Sequence, residues 1–474
     1  MSQWLSIKEL SQKVRAGELS AVTLVEQALQ TIADKAEYKA IIATIEERAR
    51  ERAAAIDAAV KNGKEVGPLA GVPFIAKDNF LTFDSETTAA SNILKGFRAP
   101  YQATAVEKLE EAGAICVAKA NLDAFAHGSS TENSDFMTTS NPHSKEHVPG
   151  GSSGGSAAAV VLDMAPFALG TDTGGSIRLP ASYCGAVGLK PTYGLVSRSG
   201  VVAMASSLDV IGPLTRSVDD AAAVLEVMAG TDPLDSTTIE RDTTPYTDLP
   251  KDIAGKRIGV VKEFMAEGLQ PEVREAVEQT IKKLEEAGAE ITEVSLPSLP
   301  LALAAYYVIC PAEVSSNLSR YDGQRFGFSD GGATTLEQSF SNTRGHGFGK
   351  EAKRRIMVGT YVLSSGYYDA YYRKAQTVRT KLLQEFADAF ASVDFLVGPT
   401  AATTAFKIGQ NAHDPLQMYL SDIMTVAINL VGVPAMSIPV GSANDLPIGL
   451  QLIAPQKQDR ALLGLAHAVE ELAI

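Results

Sequence analysis

Apolar residues recur at helical spacing near the start of the chain, at Leu24, Ala28 and Ile32, so one face of this stretch is suited to a core. Ser6–Ile7–Lys8–Glu9 precedes them as a capping-box pattern, in which serine and glutamate each satisfy a backbone N–H of the other. Residues 1–65 are therefore predicted to be a helical part. The pattern then changes. "GVPFIAKDN" (71–79) is a short apolar run ending in charge, which predicts a buried strand whose last residues emerge at a sheet edge. "ATAVEKLEEAGAICVAKA" (103–120) predicts a helix stopped at Gly113 and followed by a strand. The phrase "LEEAGA" returns at 284–289, after Val273, Val277, Ile281 and Leu284 on one helical face and before "EITEV". Nothing else recurs at that period, so the two copies predict αβ units and not a repeat protein. The class is α/β with a mixed sheet.

Two stretches interrupt the pattern. Residues 229–256 turn polar and rich in Thr, Asp and Pro before the strand-like "RIGVV", which predicts a long excursion between two parts of one fold, 66–228 and 257–474. Residues 322–355 are Gly-rich and aromatic and are predicted to be irregular; loops of that length inside compact proteins are usually functional or disordered. "LALAAYYVIC" (301–310) is the longest type of apolar run and is expected to stop at Pro311, short of a membrane span.

Composition narrows the functions. A net charge of −14 opposes non-specific nucleic-acid binding, because neutralising phosphates needs basic surface. The basic clusters at 353–355 and 371–381 are expected to be solvated helix faces. Cys116, Cys184 and Cys310 are far apart, without metal-ligand spacing, so no metal site is expected. With no basic-then-apolar segment at the N-terminus, these features predict a cytoplasmic protein.

Candidate chemistry lies in two glycine-rich stretches. Gly150–Gly151–Ser152–Ser153–Gly154 matches the GxSxG nucleophile elbow, but the polar "SNPHSKEHVP" before it is a loop where an elbow needs a strand. His346, His413 and His467 follow downstream, none in a distinctive motif. In "ALGTDTGGSIRLP" (168–180), Gly174 and Gly175 let successive N–H groups converge beside Ser176, as an oxyanion hole requires. A serine needs a base, and Lys77 on its apolar strand would be neutral if burial lowered its pKa. Ser152 could bridge Lys77 and Ser176, since a hydroxyl both donates and accepts.

Lys77 in "GVPFIAKDN", Ser152 in "GGSSGGSAAAV" and Ser176, 24 residues later, in "GTDTGGSIRLPASYCGAVGLKPT" together resemble the amidase signature family. The resemblance implies a single fold over 1–474 with a central mixed β-sheet covered by helices on both faces. It also implies Ser176 as nucleophile, Ser152 as a bridging serine on a cis peptide and Lys77 as base. The backbone N–H groups of Thr173, Gly174, Gly175 and Ser176 would form the oxyanion hole.

"GSSTENSDF" (128–136), "YYVICPAEVSSNLSRYDGQRFG" (306–327) and "DPLQMYLSDIMTVAINLVGVPAMSIP" (414–439) narrow the resemblance to the glutaminase (A) subunits of glutamyl- and aspartyl-tRNA amidotransferases. Such a protein works in a heterotrimer with B and C subunits. It releases ammonia from glutamine for the B subunit, which uses ATP and Mg to amidate aminoacyl-tRNA, while the small C subunit clasps the pair. No cofactor on this chain is implied, and no membrane. Tyr307, Arg355 and Asp422 fall where that family holds the amino-acid end of glutamine, and Arg354 competes with Arg355 for the role. An arginine suits a carboxylate and an aspartate an ammonium. The chain departs from the common family pattern at Ala124, His127 and His143. A free-standing amidase acting on small amides is the alternative.

Overall fold

Eleven strands lie in one sheet in the computed structural model, which describes residues 4–412 and 414–473. They are β1 (Ile41–Thr44), β2 (Pro73–Lys77), β3 (Ile115–Ala120), β4 (Phe167–Asp172), β5 (Val187–Lys190) and β6 (Val210–Thr215). Then come β7 (Arg257–Val261), β8 (Glu290–Val294), β9 (Phe395–Pro399), β10 (Ala435–Ala443) and β11 (Leu446–Ile453). The spatial order is β1-β3-β2-β4-β6-β5-β10-β11-β9-β7-β8. β2 runs parallel to β3 and β4, and β7 parallel to β8 and β9, while antiparallel pairs join these two groups through β6, β5, β10 and β11. The sheet is mixed, as the two helix–glycine–strand units predict.

Every residue of β2, β3, β4, β6, β9 and β11 is buried. Successive side chains point to opposite faces of a sheet, so both faces are covered. The helix Gly154–Val161 packs on β2, β4 and β6, and the helix Arg178–Cys184 on β5, β10 and β11. These two helices follow the two serine-bearing loops directly. The capping box at Ser6 and Glu9 forms, opening the helix Ile7–Arg15.

Three expectations need correction. The end of β2 does not emerge at a sheet edge: β2 lies between β3 and β4, and Lys77 is fully buried. The region 322–355 is not irregular throughout, because Thr335 caps a helix, Leu336–Gly347, by accepting from the Gln338 N–H. The apolar run does not end at Pro311 either. Leu299–Arg320 is long and apolar enough to span a membrane, but half of it is buried inside the molecule. It contains the helix Ala302–Asn317, which passes through Pro311 and packs on the helices Lys350–Leu363 and Lys374–Ser392, as a core helix does. The segment 229–256 contains no helix or strand.

Gly359 sets how closely two of these helices approach. A Cβ there would sit 1.9 Å from the carbonyl oxygen of Pro311, a backbone atom that cannot rotate away. Gly359→Ala is therefore expected to push the helices apart, costing about 1–3 kcal/mol. A lowered thermal midpoint is the expected result. An unchanged midpoint would refute the close-packing argument.

Candidate active site

Lys77 ends β2 with its amine inside the protein. Nζ lies 2.8 Å from Ser152 Oγ, 2.8 Å from Ser153 Oγ and 2.9 Å from Thr171 Oγ1. Burial lowers its pKa from 10.5 to about 7, against the opposing pull of Asp123, Asp172 and Asp209. The neighbouring groups fix how a neutral amine would bond. Ser153 Oγ donates to the Thr171 carbonyl at 3.2 Å, so it accepts from Lys77. Thr171 Oγ1 takes a hydrogen bond from Asn79 Nδ2 at 3.1 Å and accepts from Lys77 as well. A neutral amine has two N–H donors. Donating both to Ser153 and Thr171 leaves the lone pair free to accept from Ser152 Oγ.

The loop that presents Ser152 is shaped by Asp123 and by a cis peptide between Gly151 and Ser152. Asp123 accepts from the N–H groups of Thr131 at 2.8 Å and Asn133 at 3.1 Å, and burial raises its pKa to about 7. A Cβ on Gly151 would stand 2.1 Å from Asp123 Oδ2, so the residue before Ser152 must be glycine. No strand leads into this loop: residues 127–153 contain neither helix nor strand, which removes the nucleophile-elbow alternative. Of its candidate histidines, His346 meets Asp330 and His467 lies between Asp219 and Glu471, while His413 lies outside the described residues.

Ser176 sits half-buried at the end of the turn that leaves β4. The Asp172 carboxylate holds this turn from inside, accepting from the N–H groups of Gly175 at 2.8 Å and Ile177 at 3.1 Å. Burial pushes Asp172 upward, but the Arg178 guanidinium, with Lys190 and Asn429, outweighs it and holds Asp172 well below the usual carboxylate range. Gly175 is thus not a free donor, which departs from the four-donor expectation. The N–H groups of Thr173, Gly174 and Ser176 have no backbone partner among the described residues. Both glycines are crowded. A Cβ on Gly174 would lie 2.6 Å from the Tyr306 ring, and one on Gly175 2.2 Å from Thr425 Oγ1. Ser153 N–H donates to the Ser176 carbonyl at 3.1 Å, which ties the two serine loops together.

Tyr307, Arg355 and Asp422 come from three distant segments and meet. Tyr307 Oη donates to Asp422 Oδ2 at 2.7 Å, and Ser129 Oγ donates to Asp422 Oδ1. The Arg355 guanidinium lies 5.4 Å from the Tyr307 ring and 5.6 Å from the Tyr419 ring, and the two rings stack at 4.0 Å. Its Nε donates to Glu351 at 2.9 Å. Arg355 is 2% exposed, whereas the Arg354 side chain is 45% exposed, so Arg355 is the inward arginine and not part of a solvated face. Burial raises the Asp422 pKa to about 6, opposed by Ser129, Tyr307 and Arg355. Thr425 joins this cluster to the Ser176 turn: its Oγ1 donates to the Gly174 carbonyl at 2.6 Å and its N–H to the Asp422 carbonyl at 3.0 Å. Sequence reasoning did not single out Ser129, Ser153, Glu351, Tyr419 or Thr425. Only Ser153, beside Ser152 in the glycine loop, carried a local signal. Cys116, Cys184 and Cys310 are free and buried, and His143 meets the Cys184 carbonyl at 2.9 Å.

A fully buried lysine thus meets three hydroxyls, and Ser153, one of the three, ties that group to the glycine turn of Ser176. The amidase family profile matches residues 23–463, and the chain belongs to that family. Over its length it is 52% identical to the A subunit of a glutamyl-tRNA(Gln) amidotransferase from Thermoanaerobacter pseudethanolicus, covering 98% of this chain and 96% of that protein. The crystal structure of the glutamyl-tRNA(Gln) amidotransferase A subunit from Thermotoga maritima superposes with a TM-score of 0.82 at 42% identity, over 98% and 94% of the two chains. A peptide amidase from Stenotrophomonas maltophilia shares the fold with a TM-score of 0.83 at 31% identity, over 99% and 97%.

Proposed function

We propose that this chain is the glutaminase subunit of a tRNA-dependent amidotransferase, releasing ammonia from glutamine for amidation of Glu-tRNA(Gln), Asp-tRNA(Asn) or both. The observation that carries the substrate is the pairing of a buried, charged Arg355 with Asp422 and Tyr307 next to the Ser176 turn. A neutral amide would present nothing to either charge; glutamine presents a carboxylate and an ammonium. Full-length similarity to A subunits of glutamyl-tRNA(Gln) amidotransferases, at higher identity than to the peptide amidase, supports the same reading over a free-standing amidase.

In this mechanism neutral Lys77 takes the Ser152 proton as Ser152 takes that of Ser176. Ser176 Oγ bonds to the glutamine amide carbon, and the N–H groups of Thr173, Gly174 and Ser176 hold the oxyanion. The proton returns through Ser152 to the leaving nitrogen, which departs as ammonia. Water then attacks the ester by the same route, releasing glutamate and restoring Ser176. The B subunit supplies the ATP- and Mg-dependent activation and most of the tRNA contact, and the small C subunit completes the heterotrimer in the cytoplasm.

Asp422→Asn and Arg355→Lys test the substrate. Each weakens one charge-assisted contact, worth about 1.5–3 kcal/mol, or about ten- to a hundredfold in kcat/KM for glutamine. Hydrolysis of a neutral primary amide lacking α-groups should change far less. Equal loss on both substrates would overturn the glutamine assignment.

A further inference from the structure

His127 is buried beside the glutamine-recognition cluster with neither ring nitrogen bonded. It is 1% exposed, and Nδ1 and Nε2 have no partner among the described residues. Its backbone is fixed instead. Its N–H meets the Ala124 carbonyl at 3.1 Å, and its carbonyl accepts from Asn133 Nδ2 at 3.1 Å. Phe125 and Ala126, immediately before it, adopt left-handed φ values of 55° and 62°. Such a conformation is strained for a non-glycine residue. An unbonded buried polar group is a further cost. Both costs fall at one place, the segment that leads into Gly128 and Ser129.

That segment borders the proposed substrate site on two sides. Gly128 offers its carbonyl to Arg355 Nη2 at 3.4 Å, and Ser129 bonds Asp422. His127 also lines a cavity of about 260 Å3, with Ser129, Glu351 and Tyr419 among its other walls. Glu351 and Tyr419 are the groups that hold Arg355 in place. Burial, with the Arg355 charge nearby, keeps the imidazole pKa well below its ordinary value, so the ring stays neutral. A neutral imidazole offers one N–H and one acceptor nitrogen. The α-carboxylate and α-ammonium of an amino acid supply the complementary acceptor and donors.

We propose that His127 is a specificity-determining residue of this site, hydrogen-bonding the amino-acid end of glutamine alongside Arg355 and Asp422. The proposal rests on the glutaminase reading above. It gives the unbonded ring nitrogens a partner in the loaded enzyme that they lack in the free one.

The test is steady-state hydrolysis of glutamine and of a neutral primary amide by His127→Leu, His127→Met and His127→Gln in the assembled complex. Labelling of Ser176 by a serine-reactive phosphonate is followed in parallel. The two apolar variants should raise KM for glutamine about ten- to a hundredfold, the worth of a hydrogen bond to a charged group, with kcat within about threefold. Neutral-amide hydrolysis and phosphonate labelling should stay near wild type. His127→Gln, which keeps a donor and an acceptor, should recover most of the affinity. Unchanged glutamine KM in the apolar variants overturns the proposal, as does a glutamine variant no better than they are. Equal loss on both substrates, slowed labelling or failure of both apolar variants to fold also overturns it, making His127 a packing residue. Asp422→Asn separates this from the parent reading. If it loses glutamine selectively and the His127 variants do not, only the His127 role fails. If none of them discriminates between the substrates, the glutaminase reading fails.

Discussion

Ser176→Ala is expected to lower glutamine hydrolysis by about four to six orders of magnitude, the loss seen when a covalent nucleophile is removed from a serine hydrolase. The fold should survive. Ser176 is only half-buried, and the turn around it is held by Asp172, Thr425 and the Ser153 N–H rather than by the Ser176 hydroxyl. The thermal midpoint should therefore stay close to wild type while phosphonate labelling disappears. Residual activity would come from the oxyanion donors and from substrate binding, which the alanine leaves in place. In the assembled complex, free ammonium should still support amidation of the aminoacyl-tRNA, because only the ammonia source has been lost. Near-normal glutamine turnover by the purified variant would sink the assignment of Ser176. Loss of the ammonium-dependent reaction as well would show that the substitution damages the assembly, not the chemistry.

How much of this site could be read from the chain alone depends on where each part sits in the sequence. The serine loops are local: glycines at 150, 151, 174 and 175 stand beside the serines they present, and the small apolar run after Ser153 forms the helix Gly154–Val161. The capping box at Ser6 and the strand at 73–77 are local in the same sense. Residues 322–355 misled because abundant glycine hides a helix whose cap, Thr335, lies in a polar run. Pro311 misled for a different reason. Proline removes one hydrogen bond, yet the surrounding contacts of a buried helix outweigh that loss, so packing overrides propensity.

The cluster of Tyr307, Arg355 and Asp422 was legible only by resemblance. Tyr307, Arg355 and Asp422 are 48 or more positions apart, and no local pattern links them. Their supports, Ser129, Glu351, Tyr419 and Thr425, are ordinary polar residues until the fold brings them together. The exposure that separates Arg355 from Arg354 is likewise set by packing against Tyr307 and Tyr419. Adjacent arginines on a helix point about 100° apart, so one can face inward while the other meets solvent.

Substitution of Lys77 should also be strongly damaging, though less so than loss of Ser176, and its pH dependence identifies why. A base must be deprotonated to act, so glutamine turnover in the wild type should rise with pH through about 7, where burial has brought the Lys77 pKa. Lys77→Met removes the amine and Lys77→Arg replaces it with a cation that does not deprotonate in proteins. Both should lose about 10²–10⁴-fold in kcat, the usual worth of a positioned base. An active arginine variant would reduce Lys77 to a structural cation. Stability supplies an independent readout of the same group. The folded pKa of about 7 lies below the ordinary 10.5, so the unfolded chain binds more protons in between. Wild-type stability should therefore gain from Lys77 as pH rises from about 7 towards 10.5, and below about 7 the full cost of a buried ammonium is present. The thermal midpoint of Lys77→Met should lack this component of the pH dependence. If the two proteins show parallel midpoint–pH curves, the Lys77 amine is not desolvated in the folded state, and the neutral-base mechanism loses its physical basis.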